Sequence, residues 1–285
     1  ADFEMAWAWR YSKRVKDAIE MGRNERNNFP IILEKLNSRY IPITWATVGH
    51  LFLNSCERKN GIAHSDLPRP DYFENEYWKF KEGDWYDSDP CTDYKRNPEF
   101  YAPDLIERIL NSNVNHEIAC HSFSHCDFSE ENSNKELIKA ELNICIDLMK
   151  SFDIEPVSFI FPGNRYGNFD IIKQAGFKVI RYKSNAVKEI GYPEKLQNNL
   201  IAIHDSLNIT SENLFDYKFL DKKFKRYVKK TIENKSICHF WFHPSISQND
   251  IDYLFNPVID YLAELRDRGY IEIMTMKDIY KKFYN

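Results

Sequence analysis

Residues 117–128 read EIACHSFSHCDF, and how this stretch is read decides the rest of the chain. Glu117, Ile118, Ala119 and Cys120 make a short, mostly apolar run suited to a buried strand, while Ser122 and Ser124 favour turn geometry through their hydroxyls. His121 and His125 follow, four residues apart. In an extended strand that spacing separates side chains by about 13 Å, too far to share an ion, whereas one coiled turn brings them to about 6 Å on a common face. Two neutral imidazoles so placed can share a metal at the C-terminal mouth of a strand. Taken alone, the pair is equally compatible with two surface histidines in a serine-rich loop, so other ligands must come from elsewhere.

Composition limits where they can come from. A chain of 285 residues, 43% hydrophobic, can bury a large core, and one α/β domain over 1–285 with an elaborated loop is the simplest reading. The net charge of −4, with Lys and Glu interspersed, leaves no basic stripe and argues against nucleic acid as a partner. No run approaches the roughly twenty apolar residues of a membrane span. Cys56, Cys91, Cys120, Cys126, Cys145 and Cys238 form no CxxC pair, which suits free thiols in a reducing compartment and gives the expectation of a cytoplasmic protein. The chain opens ADFEMAWAWRYSKR, without Met and with a strand already under way, so the natural N-terminus, and any signal peptide, is expected upstream.

Along the chain, strand and helix signals alternate. NFPIILEKLNSRY (28–40) has helical spacing, and IPITWATVGHLFL (41–53) reads as a buried strand. DLIERILN (104–111) is a predicted helix before EIACH, and NKELIKAELNICIDLMKSF (134–152) a long amphipathic one. PVSFIFP (156–162) and FKVIRY (177–182) read as strands flanking the short helix DIIKQAG (170–176), which ends at Gly176. SENLFDYKFLDKKFKRYVKKTIENK (211–235) is helical through its middle, and SICHFWFHP (236–244) a strand. The helix NPVIDYLAELRDRG (256–269) and the strand IEIMTM (271–276) close the series. This order argues for a parallel sheet, open or closed into a barrel.

Residues 55–101 break the pattern, with prolines, acids and many aromatics but no clean period. A loop of that length is usually functional. Tyr72, Tyr77, Trp78, Trp85 and Tyr86 can form a platform or lid on which a pyranose stacks, or can simply pin the segment to the body of the domain.

In a parallel α/β fold, catalytic groups gather at the C-terminal ends of strands. Three ends stand out. Asp2 and Glu4 point the same way on an alternating strand, and buried acids need partners or a metal. FIFPGNRYGN runs from a strand into a turn carrying Asn164, Arg165 and Tyr166. In HFWFHP, alternation puts His239, Trp241 and His243 on one face, with His239 read as a buried structural histidine and His243 at the strand's end.

An acid pair on the first strand, HSFSH after a later one, a PGNRYG turn and a late histidine, in this order, resemble the polysaccharide deacetylases, the NodB-homology group or carbohydrate esterase family 4. The resemblance runs from Asp2 to His243, and HSFSH, matching His-[Ser/Thr]-x-x-His, is its most specific element. It implies a distorted (β/α) barrel, to which residues of about 55–101, as read above, add a long aromatic-rich insertion. It also implies a divalent metal, most often zinc, and hydrolysis of an N-acetyl group from an amino sugar. His121 and His125 look like the metal histidines, Glu4 the metal acid, Asp2 the catalytic base and His243 the late catalytic histidine. Glu4 stands where the family usually has Asp, and Arg165 comes later in its turn than the family's arginine, so neither its reach to the base nor a role for Arg181 follows. Asn164, Arg165, Tyr166, Trp78 and Trp85 are the expected substrate contacts, with backbone N–H groups of the 164–166 turn sharing an oxyanion. A carbohydrate is the implied partner. A metal-independent C–N hydrolase of allantoinase type and a non-catalytic sugar-binding protein are the alternatives.

Overall fold

Alternation along the strands sorts side chains between the inside of a closed sheet and a surrounding layer of helices. β1 (Asp2–Phe3), β2 (Thr44–Thr47), β3 (Glu117–Cys120), β4 (Ser158–Ile160) and β5 (Val179–Tyr182) lie side by side in parallel. β6 (Glu194–Lys195) is the antiparallel edge strand, and β7 (Ile201–His204), parallel to β5, stands between it and β5. β8 (Leu207–Asn208) pairs in parallel with β9 (Phe240–Trp241), and the Asp2 N–H donates to the Phe242 carbonyl at 2.9 Å, bringing the ring back to β1. The result is a distorted barrel. The computed structural model describes residues 1–12, 15–183, 190–211 and 216–284.

Ala46, Ala119, Ile160, Val179, Ile201 and Ile203 form an inner apolar cluster. Phe3, Trp45, Ile118, Cys120, Phe159, Ile180 and Ala202 join the larger cluster under the helices. These are the two phases of period-2 strands. α1 (Val15–Ser38) covers β1 and β2, with Phe29 5.3 Å from the Phe3 ring and 5.1 Å from Trp45. α2 (Pro103–Leu110), α3 (Lys135–Ser151), α4 (Phe169–Gln174) and α5 (Tyr217–Glu233) follow where the apolar spacing predicts them. Short helical turns, Gln248–Asp250 and Ile251–Phe255, lead into α6 (Asn256–Asp267). A cavity of about 590 Å³, lined by Ala1, Thr44, His239 and Met274 among others, occupies the end where the strands begin, opposite His121 and His125.

Four expectations are corrected. IEIMTM forms no strand: residues 271–275 run without a ladder into α7 (Met276–Tyr284), whose Met276 and Ile279 plug the inner cluster. SICHFWFHP is a strand only at Phe240–Trp241. IPITWATVGHLFL leaves the sheet after Thr47, and Gly49–Phe52 coil into a turn whose first two N–H groups donate to the Ser122 and Phe123 carbonyls at 2.8 and 3.0 Å. LIAIH (200–204), given no element by its sequence, contains β7. Residues 212–215 of the predicted fifth helix lie outside the described residues. Residues 55–101 are largely irregular, with two short hairpins, Arg58–Lys59 with Ile62–Ala63 and Phe73–Glu74 with Lys79–Phe80.

Candidate active site

Asp2 and Glu4 flank the outward-facing Phe3, so both enter the barrel mouth, and both are almost fully buried. Each acid has a different partner. Asp2 takes the Arg181 guanidinium in a two-pronged pair at 2.6 and 2.6 Å, with Arg181 arriving from β5 across the barrel. Burial alone would raise the Asp2 pKa, but the buried arginine outweighs it and holds the carboxyl at about 2. Arg181 also lies over the Trp241 ring at 5.0 Å.

Glu4 faces histidines instead. Its Oε1 is 2.7 Å from His121 Nε2 and 3.1 Å from His125 Nε2, and its Oε2 is 3.4 Å from His243 Nε2. Burial would raise its pKa too, yet the surrounding imidazoles hold it well below the usual carboxylate range. The two backbone N–H groups of Glu4 and Met5 donate to the buried Glu25 carboxylate of α1, each at 3.0 Å, fixing the backbone at the acid.

His121 and His125 approach by a route other than a helical turn. Ser122 and His125 have φ of +56° and +54°, and the loop they bend is fastened from outside. Glu141 of α3 accepts the Phe123 and Ser124 N–H groups at 2.8 Å each and the Ser124 hydroxyl at 2.6 Å. Buried Arg10 donates to the Ser124 carbonyl at 2.7 Å. The two imidazole centroids end 5.1 Å apart.

These residues suit a divalent metal. The His121 Nδ1 contacts the Ile160 carbonyl at 2.8 Å, and a carbonyl only accepts, so Nδ1 carries the proton and Nε2 presents a lone pair to an ionised carboxylate. Two acceptors at that distance need a cation or a proton between them. Glu4 Oε2 and His125 Nδ1 are buried with no hydrogen-bond partner among the described residues. Two nitrogens and a carboxylate oxygen are a donor set for zinc that leaves a position open.

Other expected contacts sit elsewhere. Arg165 does not reach Asp2: it bonds Glu76 at 2.9 Å and faces Asp127 and Glu131 at 3.6 Å each, leaving Asp2 to Arg181. The N–H groups of Asn164 and Arg165 close their own turn on the Phe161 and Pro162 carbonyls, so they are not available to an oxyanion. Tyr166 accepts the Lys183 N–H through its hydroxyl. Trp78 and Trp85 are each 1% exposed and offer no open face to a pyranose. Trp85 stacks on Tyr11 at 4.7 Å and donates to the Ser124 hydroxyl; Trp78 packs 5.8 Å from His125 and so close to Gly163, at φ +56°, that a Cβ there would lie 2.7 Å from its ring. Half-buried aromatics also border the histidines: Tyr77, 5.8 Å from His125, with Trp9 and Trp241, 5.6 and 5.4 Å from His243. His239, expected to be buried, is half-buried at the wall of the large cavity, and desolvation pulls its pKa down to about 3.

No protein-family model and no curated protein matches the sequence. Among solved structures, a protein assigned as a polysaccharide deacetylase from Mycobacterium smegmatis superposes with a TM-score of 0.60 at 12% identity, over 91% of this chain and 77% of that one. A CE4 family pseudoenzyme from Bacillus anthracis gives 0.49 at 10% identity, over 89% and 60%. The CE4 domain of a multidomain xylanase from the hindgut metagenome of Trinervitermes trinervoides gives 0.46 at 12%, over 90% and 84%. The chain has the fold of the polysaccharide deacetylases, with two histidines and two differently partnered acids at its mouth.

Proposed function

We propose that the protein is a metal-dependent hydrolase that removes an N-acetyl group from an amino sugar in a polysaccharide or its precursor. The observation that carries this reading is the division of labour between the two acids: Asp2 tied to Arg181, Glu4 turned to three imidazoles. Glu4, His121 and His125 would hold the ion, zinc being the natural choice for that donor set. When bound, the ion polarises the amide carbonyl and acidifies a water.

The chain's own residues supply the rest. Asp2 stays ionised because of Arg181 and takes a proton from the attacking water as general base. His243, partly exposed beside Glu4 Oε2, gives a proton to the departing amine, a step worth about a hundred- to ten-thousand-fold when the acid is well placed. Arg181 keeps Asp2 aimed and unprotonated. Tyr77, Trp9 and Trp241 border the histidines where apolar sugar faces would rest, with Asn164, Arg165 and Tyr166 as polar contacts farther along. Trp78 and Trp85 act as supports behind them.

The test is acetate release from sugar nucleotides, chitooligosaccharides and peptidoglycan fragments, before and after chelation. Release that stops with chelation and returns with zinc is expected. Amide hydrolysis indifferent to chelation would make the protein a metal-independent C–N hydrolase, and glycan binding without any release would make it a sugar-binding protein.

A further inference from the structure

A second cluster of metal-type side chains lies on the far side of the 121–125 loop. His50, Cys56, His64 and Asp89 each turn one donor atom to a common point, all within 4.8 Å of one another. His50 comes from the turn after β2, and its ring lies 5.4 Å from that of Phe123. The other three come from the irregular 55–101 segment. His50 and Asp89 are buried, and Cys56 and His64 half-buried.

The inward atoms of the cluster face one another, and Cys56 Sγ also contacts the Tyr101 hydroxyl at 3.1 Å. The His50 Nδ1 contacts the Phe100 carbonyl at 3.2 Å, so it carries the ring proton and Nε2 is a bare lone pair. That Nε2 stands 3.0 Å from Asp89 Oδ2, 3.2 Å from His64 Nε2 and 3.8 Å from Cys56 Sγ. Asp89 Oδ2 is in turn 2.8 Å from His64 Nε2 and 3.4 Å from Cys56 Sγ. The other Asp89 oxygen is already satisfied by the Tyr101 hydroxyl at 3.2 Å and the Cys91 N–H at 2.9 Å, which fixes the carboxylate with Oδ2 inward.

We propose that His50, Cys56, His64 and Asp89 form a second, closed zinc site that fastens the 55–101 segment to the barrel. Zinc bonds of roughly 2.0–2.3 Å give a tetrahedron with edges of about 3.3–3.6 Å, and the measured separations bracket that range. Four protein ligands leave no position for water, which marks a structural site and not a catalytic one. Charge also balances: a thiolate and a carboxylate together neutralise one divalent ion. Among the described residues Cys56 brings the only sulfur to either cluster, and its S–H proton is released to solvent when the ion binds.

The sulfur separates this site from the Glu4 cluster, so the test does not depend on the catalytic proposal. The wild-type chain is expressed in cobalt-supplemented minimal medium and its absorption recorded. A thiolate-to-cobalt charge-transfer band in the near ultraviolet is expected, absent from Cys56→Ser and retained in the His121→Ala, His125→Ala double variant. A wild-type protein that binds cobalt without such a band, or a band that survives in Cys56→Ser, would overturn the proposal. Should Cys56→Ser fail to fold, wild-type protein alone still decides: alkylation of Cys56, mapped by peptide mass, should be blocked until a chelator is added. Equal labelling before and after chelation, or a disulfide between Cys56 and Cys91, would sink the site.

Discussion

The Glu4 cluster and the Asp89 cluster are built on the same unit. In each, one histidine spends its Nδ1–H on a main-chain carbonyl, Ile160 for His121 and Phe100 for His50, and turns Nε2 to a buried carboxylate. They differ in what the second carboxylate oxygen does. In Asp89 it is capped by Tyr101 and the Cys91 N–H; in Glu4 it has no hydrogen-bond partner among the described residues and looks to His243, whose side chain is 23% exposed. On the proposed roles, closure, more than the choice of donors, separates the staple from the reaction centre.

The largest expected effect breaks that comparison on the reactive side. Asp2→Asn should lower acetate release by about 10²- to 10⁴-fold, because no general base remains, while metal content stays unchanged. Loss of metal would mean that the two acids have been assigned the wrong way round. His243→Ala should also keep the metal and slow amide substrates more than an activated ester, whose leaving group departs without a proton; equal losses would remove His243 from the acid role.

Next comes the wall between the clusters. Glu141→Ala strips three hydrogen bonds from residues 123–124 and strands two buried N–H groups, each costing about 1–3 kcal/mol. A fall of several kcal/mol in urea unfolding is expected, with cobalt spectra altered at both clusters because they share this loop. Smaller is Trp85→Phe, which deletes the bond to Ser124 and should cost about 1 kcal/mol with kcat and KM held, as suits a ring that supports and does not touch sugar.

The smallest effect uses a histidine wired the opposite way. His116 Nδ1 accepts the Ile43 N–H at 3.2 Å, so it has no lone pair left for an ion, and its Nε2 contacts the Asn37 side-chain oxygen. Burial pulls its pKa down from 6.5 to about 4. Since the unfolded chain takes up that proton near pH 6.5 and the folded one only near 4, the stabilisation is complete above 6.5 and declines as pH falls towards 4. His116→Gln should flatten that slope in thermal unfolding; an unchanged slope would assign the acid lability to other groups.

The sequence carried the open cluster better than the closed one, for physical reasons. Asp2 lies on β1 and Glu4 just past its end, where continued alternation places both acids at the mouth, and HSFSH advertises its two imidazoles. His50 is hidden within an apolar run, and its partners lie in a segment without a period, so only tertiary structure assembles them. Glu141 left a usable trace: it falls on the same helical stripe as Leu137, Ile138 and Cys145, and an acid on a buried face must have a purpose. Arg181 gave a similar sign inside the apolar run FKVIRY. The large rings of 55–101, Trp78, Trp85 and Tyr86, are buried in the same apolar cluster as Phe3, Trp45 and Phe123, which pins the segment to the barrel, one of the two roles that its sequence leaves open. IEIMTM alternates as a strand should, yet nothing pairs with it, since its end is consumed in plugging the barrel.

The return of β9 to β1 has one more consequence. A single backbone bond, Asp2 N–H to the Phe242 carbonyl, crosses that seam among the described residues, while β2 and β3 are laced over four residue pairs. Asp2 stands on one lip and His243, one residue past the acceptor, on the other. The distance between the two proposed proton carriers is therefore set across a join as thin as that of β3 to β4, which share a single residue pair. In hydrogen-exchange terms the Asp2 amide, held across the seam by that one bond, is expected to exchange sooner than the amides of β2 and β3.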